Sequence, residues 1–577
     1  MRISAASDSP GLGQPATEAS RLRTAFGARS LVDRQYLMLT AAWLLLALLE
    51  MLSRSFIPVD ETRYVTVAWN MHLNGDFLVP MLNGMPYSDK PPLLFWLINL
   101  GWTVFGVSDW WPRLLTSLIG LGTAWLTVSL AKRLWVGEND TPIFAALILS
   151  GSILWAAMAT AVMFDMLLSF FTLLGLLGAV LAMLEQKRSA WAMVAVAVAG
   201  GLLAKGPAIF LHLLPALLLA PWWRTRDRQV DWHSWYASAG MAVLAGLFLA
   251  LLWAIPAALH GGNGYAEAIF WGQSAHRVVD AFAHHREPWW YLPLLPVLFF
   301  PWLLWGTLWQ GAGRLMRAGA DAGTRFCLAW LASAFILFSL VSGKQIHYLL
   351  PLLPAFALLA AHAVRFAPPS RLRHGFPVLL VFLALAILLL YFPHHVHMHL
   401  SATWLENIPV WVPLVMGAGS IALWCTAGSS LQAKVWSLSL LSMLLAAVVH
   451  LGIIRSGGAA YDMRPIATQL KQLERRGVPL AHAGPYPGIY DFVGRLRRSP
   501  QVLDRLQLTR WFAEHPQGRA IVYFNSKNPR DGLAPEFLQD YLKEEVGVVD
   551  SAQWEAWCSG HLTQCGRPAH SPAIATP

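Results

Sequence analysis

Charge is scarce in this chain of 577 residues: 13% are Asp, Glu, Lys or Arg, against 56% hydrophobic. Soluble domains carry about twice that charged fraction, and a water-soluble globule of this size could not cover its surface with so few charges. Intrinsic disorder is also excluded, since it needs low hydrophobicity and mean hydropathy here is +0.47. Four cysteines are too few for a disulfide scaffold or an iron–sulfur protein. No Walker loop and no glycine-rich nucleotide fingerprint stands out, so a nucleotide-sugar donor is unsupported. The histidine pair His284–His285 and the cluster His394, His395, His397 and His399 match no zinc spacing with Cys or Glu. No cofactor is expected, and a structural metal has no support in the sequence. What is abundant is Trp, with 29 residues, as suits a protein with two long membrane interfaces.

These features predict an α-helical polytopic membrane protein. Apolar runs long enough to cross a bilayer fall at 36–55, 112–131, 142–160, 164–184, 190–204, 206–222, 236–258, 290–310, 325–341, 347–364, 376–392, 409–427 and 434–453, thirteen in all. The run 91–106 is shorter and is expected to lie along the interface. Charge supports that choice. If 91–106 does not cross, the clusters Lys132/Arg133, Lys187/Arg188, Arg224/Arg226/Arg228, Arg314/Arg317, Arg365/Arg371/Arg373 and Lys434 all fall on the cytoplasmic side with the N-terminus. That pattern also accounts for the net charge of +10 without nucleic acid. Residues 190–204 and 206–222 should form a tight hairpin broken at Gly206-Pro207. Residues 1–33, polar and without the pattern of a cleavable signal peptide, are expected to be a disordered cytoplasmic tail. The transmembrane domain would occupy 34–454, with outer loops 56–111 and 259–289. From Arg455 the composition shifts: a charged helix at 464–476 and strand-like runs at 478–483 and 520–524 predict a small α/β domain, 455–577, on the outer side. There Cys558 and Cys565 can form a disulfide, whereas Cys327 and Cys425 should be free thiols.

Isolated charges near the membrane mark function. In the loop 56–90 Asp60 directly follows the first span, at the head of a stretch with Tyr64, Val67, Ala68 and Met71 on one helical face; it is either a helix cap or a site residue. Lys90 precedes Pro91-Pro92, and is either a snorkelling lysine or a site cation. Asp165, Lys205, Arg277 and Lys344 also map to the outer side. Together they predict a cavity there, with cations able to hold a phosphate or pyrophosphate.

The runs PVDETRY and NGDFLVPMLNGMPYSDKPPLLFW, followed in order by FGVSDWWPRL, MFDMLLSFF, LLAKGP, FWGQSAHRV and SGKQIHYLLPLLPA, resemble the 4-amino-4-deoxy-L-arabinose transferases of lipid A. These belong to the polyprenyl-phosphate-dependent, protein-mannosyltransferase-like group with the GT-C fold. The resemblance covers residues from about 55 to 365. It implies an inverting pentosyltransferase of the bacterial inner membrane, its site facing the periplasm. The donor would be undecaprenyl-phosphate-linked aminoarabinose, the acceptor a lipid A phosphate, and the outcome polymyxin resistance. It implies a catalytic set of Asp60, Glu61 and Asp165, and carrier-phosphate contacts from Lys90, Arg277, Tyr348 and Tyr87. Arg63, Lys205, Lys344 and His347 are further candidates. Ser88-Asp89 departs from the Phe-Glu often found there. Membrane lipids are the expected partners, with no nucleic acid, and a monomer is expected. Two other readings remain: a transferase using another acceptor such as protein, and a lipid transporter, which should show repeats or broken midplane helices.

Overall fold

The computed structural model describes residues 16–225, 229–272, 285–369, 376–395, 408–426, 430–525, 529–542 and 544–560. The first helix, α1 (Ala16–Ser53), starts well before the first apolar run and includes residues expected to form a tail. Two helices outside the bundle follow, α2 (Asp60–Asn74) and α3 (Leu93–Phe105), then α4 (Trp110–Leu134). Among the described residues seven helices are long and apolar enough to cross a membrane, and six shorter apolar helices accompany them. Helix Trp232–Gly261 leaves Met241, Leu244, Phe248, Leu252, Ile255 and Leu259 exposed, an apolar outer face suited to lipid.

The run 290–310 does not form the single span expected. It is divided among a 3-10 turn at Pro288–Leu294, a short helix at Leu295–Leu298, a second 3-10 turn at Trp302–Leu304 and the start of helix Gly306–Ala318. Pro288, Pro293, Pro296 and Pro301 recur through it, and each removes a backbone donor and blocks helix propagation. The run 142–160 is likewise split, into Thr141–Ser150 and Ile153–Ala157. Close helix contact depends on glycine at Gly311, where an added Cβ would lie 2.1 Å from the Ala363 carbonyl oxygen.

Polar contacts sort the helix ends into two groups. At one end Arg133 meets Glu185 at 3.4 Å, Arg365 meets Glu138 at 2.6 Å, Arg325 donates to the Arg224 carbonyl, and Trp135 donates to Asp321. These are the segments that charge assigned to the cytoplasm. At the other end the Arg113 guanidinium, at the start of α4, donates to the carbonyls of Met51 and Arg54, at the end of α1. The chain therefore leaves and re-enters the bundle at the same end, and α3 does not cross it. Lys205 lies with this second group and Arg224 with the first, so the segment between them traverses the bundle, as the predicted hairpin requires.

The C-terminal domain holds a five-stranded sheet. Strands β1 (Met81–Leu82) and β2 (Met85–Pro86) form a small hairpin in the first outer loop; β3 (Leu480–Ala483), β4 (Gln501–Leu503), β5 (Arg519–Phe524), β6 (Phe537–Tyr541) and β7 (Glu544–Val549) form the sheet, in the order β4-β3-β5-β7-β6. β3 pairs in parallel with β4 and β5, and β7 antiparallel with β5 and β6. Helix Arg464–Arg475 packs Ile466, Ala467, Leu470 and Leu473 into the core beneath the sheet. The domain is clamped to α2 and α3. Phe492 stacks on Trp102 at 5.0 Å, Trp69 donates to the Leu496 carbonyl, and Thr66 exchanges hydrogen bonds with Gly488 and Phe492. Cys327 and Cys425 are free and Cys558 is disulfide-bonded; Cys565 lies outside the described residues.

Candidate functional site at the loop-bearing end of the bundle

The first outer loop fixes the site's entrance. Its hairpin turns at Asn83-Gly84, both at positive φ (56° and 76°), the two-residue turn that matches strand twist. The Tyr87 amide then donates to the Pro80 carbonyl at 2.8 Å. Tyr87 is buried against Phe95, which directs the chain into Lys90. The Lys90 ammonium lies 6.0 Å from the centre of the Tyr64 ring. The Tyr64 hydroxyl contacts an Asp60 carboxylate oxygen at 3.3 Å, and burial pushes that phenol far above its ordinary range, with Asp60 adding to the effect. Tyr64 is therefore a neutral donor.

Asp60 does not cap α2. Val59 occupies the cap position with no side-chain cap bond, and Asp60 is the first helical residue, where the helix dipole favours its charge. Its carboxylate is paired with Arg63 and remains partly exposed.

Facing this group is a second one. Asp165, in the first turn of helix Phe164–Glu185, is ion-paired with Lys205, in the last turn of helix Ala190–Lys205. Each charge complements the end of its own helix, a carboxylate at the positive N-terminus and an ammonium at the negative C-terminus, so both are stabilised as ions. Gly206, at φ 69°, ends the lysine's helix. The Lys205 ammonium lies 4.3 Å from the centre of the Tyr348 ring, and His347 approaches Asp165 at 4.0 Å. Tyr64 packs edge-on against Phe164, the neighbour of Asp165, at 4.9 Å between ring centres, which joins this group to the first. Asp60, Arg63, Tyr64, Lys90, Asp165, Lys205, His347 and Tyr348 thus converge from five separate segments.

Glu61 and Lys344 take different positions. Glu61 points away from Asp60 into the protein, where it forms a two-pronged pair with Arg54 and accepts from the backbone amides of Ile57 and Val162. Burial alone would raise its carboxyl, but Arg54, Arg113 and the Ile57 amide together hold it below its ordinary range. The arrangement ties α1, α2 and the segment before helix Phe164–Glu185 together. The Lys344 ammonium donates to the carbonyls of Arg286 and Val341, holding the chain at Arg286 to the 341–345 turn. Arg277 lies outside the described residues, as do His284, His397 and His399. Among the described residues no group of three His, Cys, Asp or Glu is placed to hold a metal ion. Sequence reasoning did not single out Arg54 or Arg113; their signal was a charge at each junction between a span and the first outer loop.

Comparison with solved structures gives the architecture a precedent. The chain shares the fold of ArnT from Cupriavidus metallidurans. The match has a TM-score of 0.73 at 20% identity, covering 90% of this chain and 98% of that one. Crystal structures of that protein exist in the apo state and bound to undecaprenyl phosphate. The chain is also similar to undecaprenyl phosphate-alpha-4-amino-4-deoxy-L-arabinose arabinosyl transferase 2 of Pseudomonas fluorescens (30% identity, 59% of this chain and 60% of the relative). The corresponding transferase of Pseudomonas aeruginosa strain LESB58 is 32% identical over 56% of this chain and 57% of its own length. The matched part thus spans about three-fifths of these relatives' length. Residues 89–260 match the dolichyl-phosphate-mannose-protein mannosyltransferase family.

Proposed function

We propose that this protein transfers 4-amino-4-deoxy-L-arabinose from undecaprenyl phosphate to a phosphate of lipid A, at the periplasmic face of the bacterial inner membrane. The observation that carries this reading is the convergence of Lys90, Lys205 and Tyr348 with Asp60 and Asp165 at the loop-bearing end of a bundle that shares the ArnT fold.

In the reaction an oxygen of the acceptor phosphate attacks the anomeric carbon. The bond from that carbon to the carrier phosphate breaks, and its electron pair stays on the carrier phosphate, which leaves as a dianion. The nucleophile is already anionic, so no proton need be removed. One displacement inverts the anomeric centre. Lys90, with Arg277 and the Tyr348 hydroxyl, offsets the charge that develops on the leaving phosphate. Asp165 fixes the Lys205 ammonium against the Tyr348 ring and so positions both. Asp60 orients the acceptor or binds the sugar ammonium. Glu61, braced by Arg54, sets the angle of α2 and contacts no substrate. Attaching an amino sugar lowers the negative charge of lipid A, which reduces binding of polymyxin and other cationic peptides.

Mass spectrometry of lipid A from cells with and without the protein tests the reading. A phosphate-linked pentosamine present only with the protein is expected. Unchanged lipid A together with sugar on a protein hydroxyl would overturn it in favour of the protein-acceptor reading that the mannosyltransferase match keeps open.

A further inference from the structure

A cavity of about 500 Å³ lies where the C-terminal domain meets the far end of α2, lined by Trp69, His72, Val107, Lys471, Arg495 and Arg497. His72 stacks on Trp69 at 5.8 Å. From Asp60 to His72 the helix rises about 18 Å, so this cavity is separate from the charged cluster described above. Two of its three full cations are compensated: Lys471 by Glu474 and Arg495 by Asp109, both at 2.6 Å. Arg497 is exposed, and among the described residues its guanidinium makes no ion pair; only its backbone amide is bound, by Glu474. The neighbouring Arg498 is exposed as well. The cavity therefore presents a fixed excess of positive charge with a planar fork suited to phosphate. Its rim adjoins an apolar surface: Leu100, Val104 and Phe105 of α3 are 62%, 68% and 55% exposed, just before Val107. An apolar helix that lies outside the bundle with that face uncovered buries it at the membrane interface, which brings the cavity mouth to headgroup level.

We infer that this cavity is a second anionic subsite, taking a phosphate monoester of a lipid headgroup. Resting on the function proposed above, it holds the phosphate of lipid A that does not react, while the reacting phosphate lies at the cluster around Asp60 and Lys90. Arg497 makes the principal contact. Lys471 and Arg495, held by their own partners, shape the pocket.

The test uses the full chain in detergent with lipid A carrying both phosphates, fully dephosphorylated lipid A, and inorganic phosphate. For Arg497→Ala we expect binding of the phosphorylated lipid about tenfold weaker, and for Arg497→Glu weaker still. Binding of the dephosphorylated lipid should match wild type. In turnover, the acceptor KM should rise by a similar factor while kcat and the donor KM hold. Equal binding of phosphorylated lipid by wild type and Arg497→Glu would overturn the subsite, even with transfer intact. Inorganic phosphate binding at the cavity as tightly as the lipid would overturn the headgroup assignment. A wild-type protein that binds lipid A in this Arg497-dependent way but transfers no aminoarabinose would overturn the proposed reaction and leave the subsite standing.

Discussion

Replacing Glu61 by Ala should unfold the entrance to the site before it affects any chemistry. The Arg54 and Glu61 side chains are 3% and 5% exposed, so little solvent screening discounts their pairing. Removing one member of a buried pair costs about 3–5 kcal/mol, because the other charge is left without its partner. The backbone amides of Ile57 and Val162 also lose their acceptor, at about 1 kcal/mol or more each. Water entering the gap recovers part of this, so a net loss of about 4–6 kcal/mol is a reasonable sum. In purified protein the midpoint of thermal unfolding should fall by ~5 °C or more. Removing both charges, as Arg54→Met with Glu61→Leu, should cost less than Glu61→Ala alone, since an apolar pair can replace a buried ion pair. The pH dependence has a definite sign. The folded carboxyl lies below its ordinary value of 4.5, so its stabilisation is complete above about pH 4.5 and is lost as pH falls through the lower folded value. A Glu61→Ala protein with the wild-type midpoint would refute the brace, and would return Glu61 to the catalytic set.

Three further outcomes follow from the same geometry. Lys90→Ala should lose about a hundredfold in sugar transfer, from about 3 kcal/mol of lost stabilisation of the leaving phosphate, while inserting and unfolding like wild type; Asp60→Asn, which removes a charge but no cap, should also lose transfer, and full activity in either variant would remove that residue from the site. In spheroplasts, a membrane-impermeant maleimide should label Cys introduced at Arg497 and not Cys introduced at Arg317; the opposite pattern would invert the topology.

Some of this was legible in the linear chain because it depends on local physics. Apolar run length and the spacing of basic loops fixed which segments lie in the bundle and which ends lie together. The ion pairs Arg133–Glu185 and Arg365–Glu138 at one end, and the Arg113 contacts at the other, follow that division. The sheet domain was readable from a shift in composition, and its first helix and two of its strands lie close to the charged helical stretch and the strand-like runs read there. The prolines in 290–310 were visible too, but hydropathy averages over a window and does not register a missing backbone donor.

Partner choice was decided only in three dimensions. Asp60 and Glu61 are adjacent in sequence, yet a helix turns successive residues by about 100°, so one faces the candidate site and the other enters the protein to meet Arg54. Lys205 and Lys344 are both isolated lysines beside a glycine. One meets a carboxylate forty positions away in the chain, and the other meets two carbonyls. The pocket at Arg497 draws on four segments, at residues 69–73, 107, 471 and 495–497. The sequence set which charges gather at the loop-bearing end of the bundle; whether each acts as brace, strut or site group was settled by tertiary packing, because a charge near a membrane is stable only with a partner, and that partner is distant in the chain.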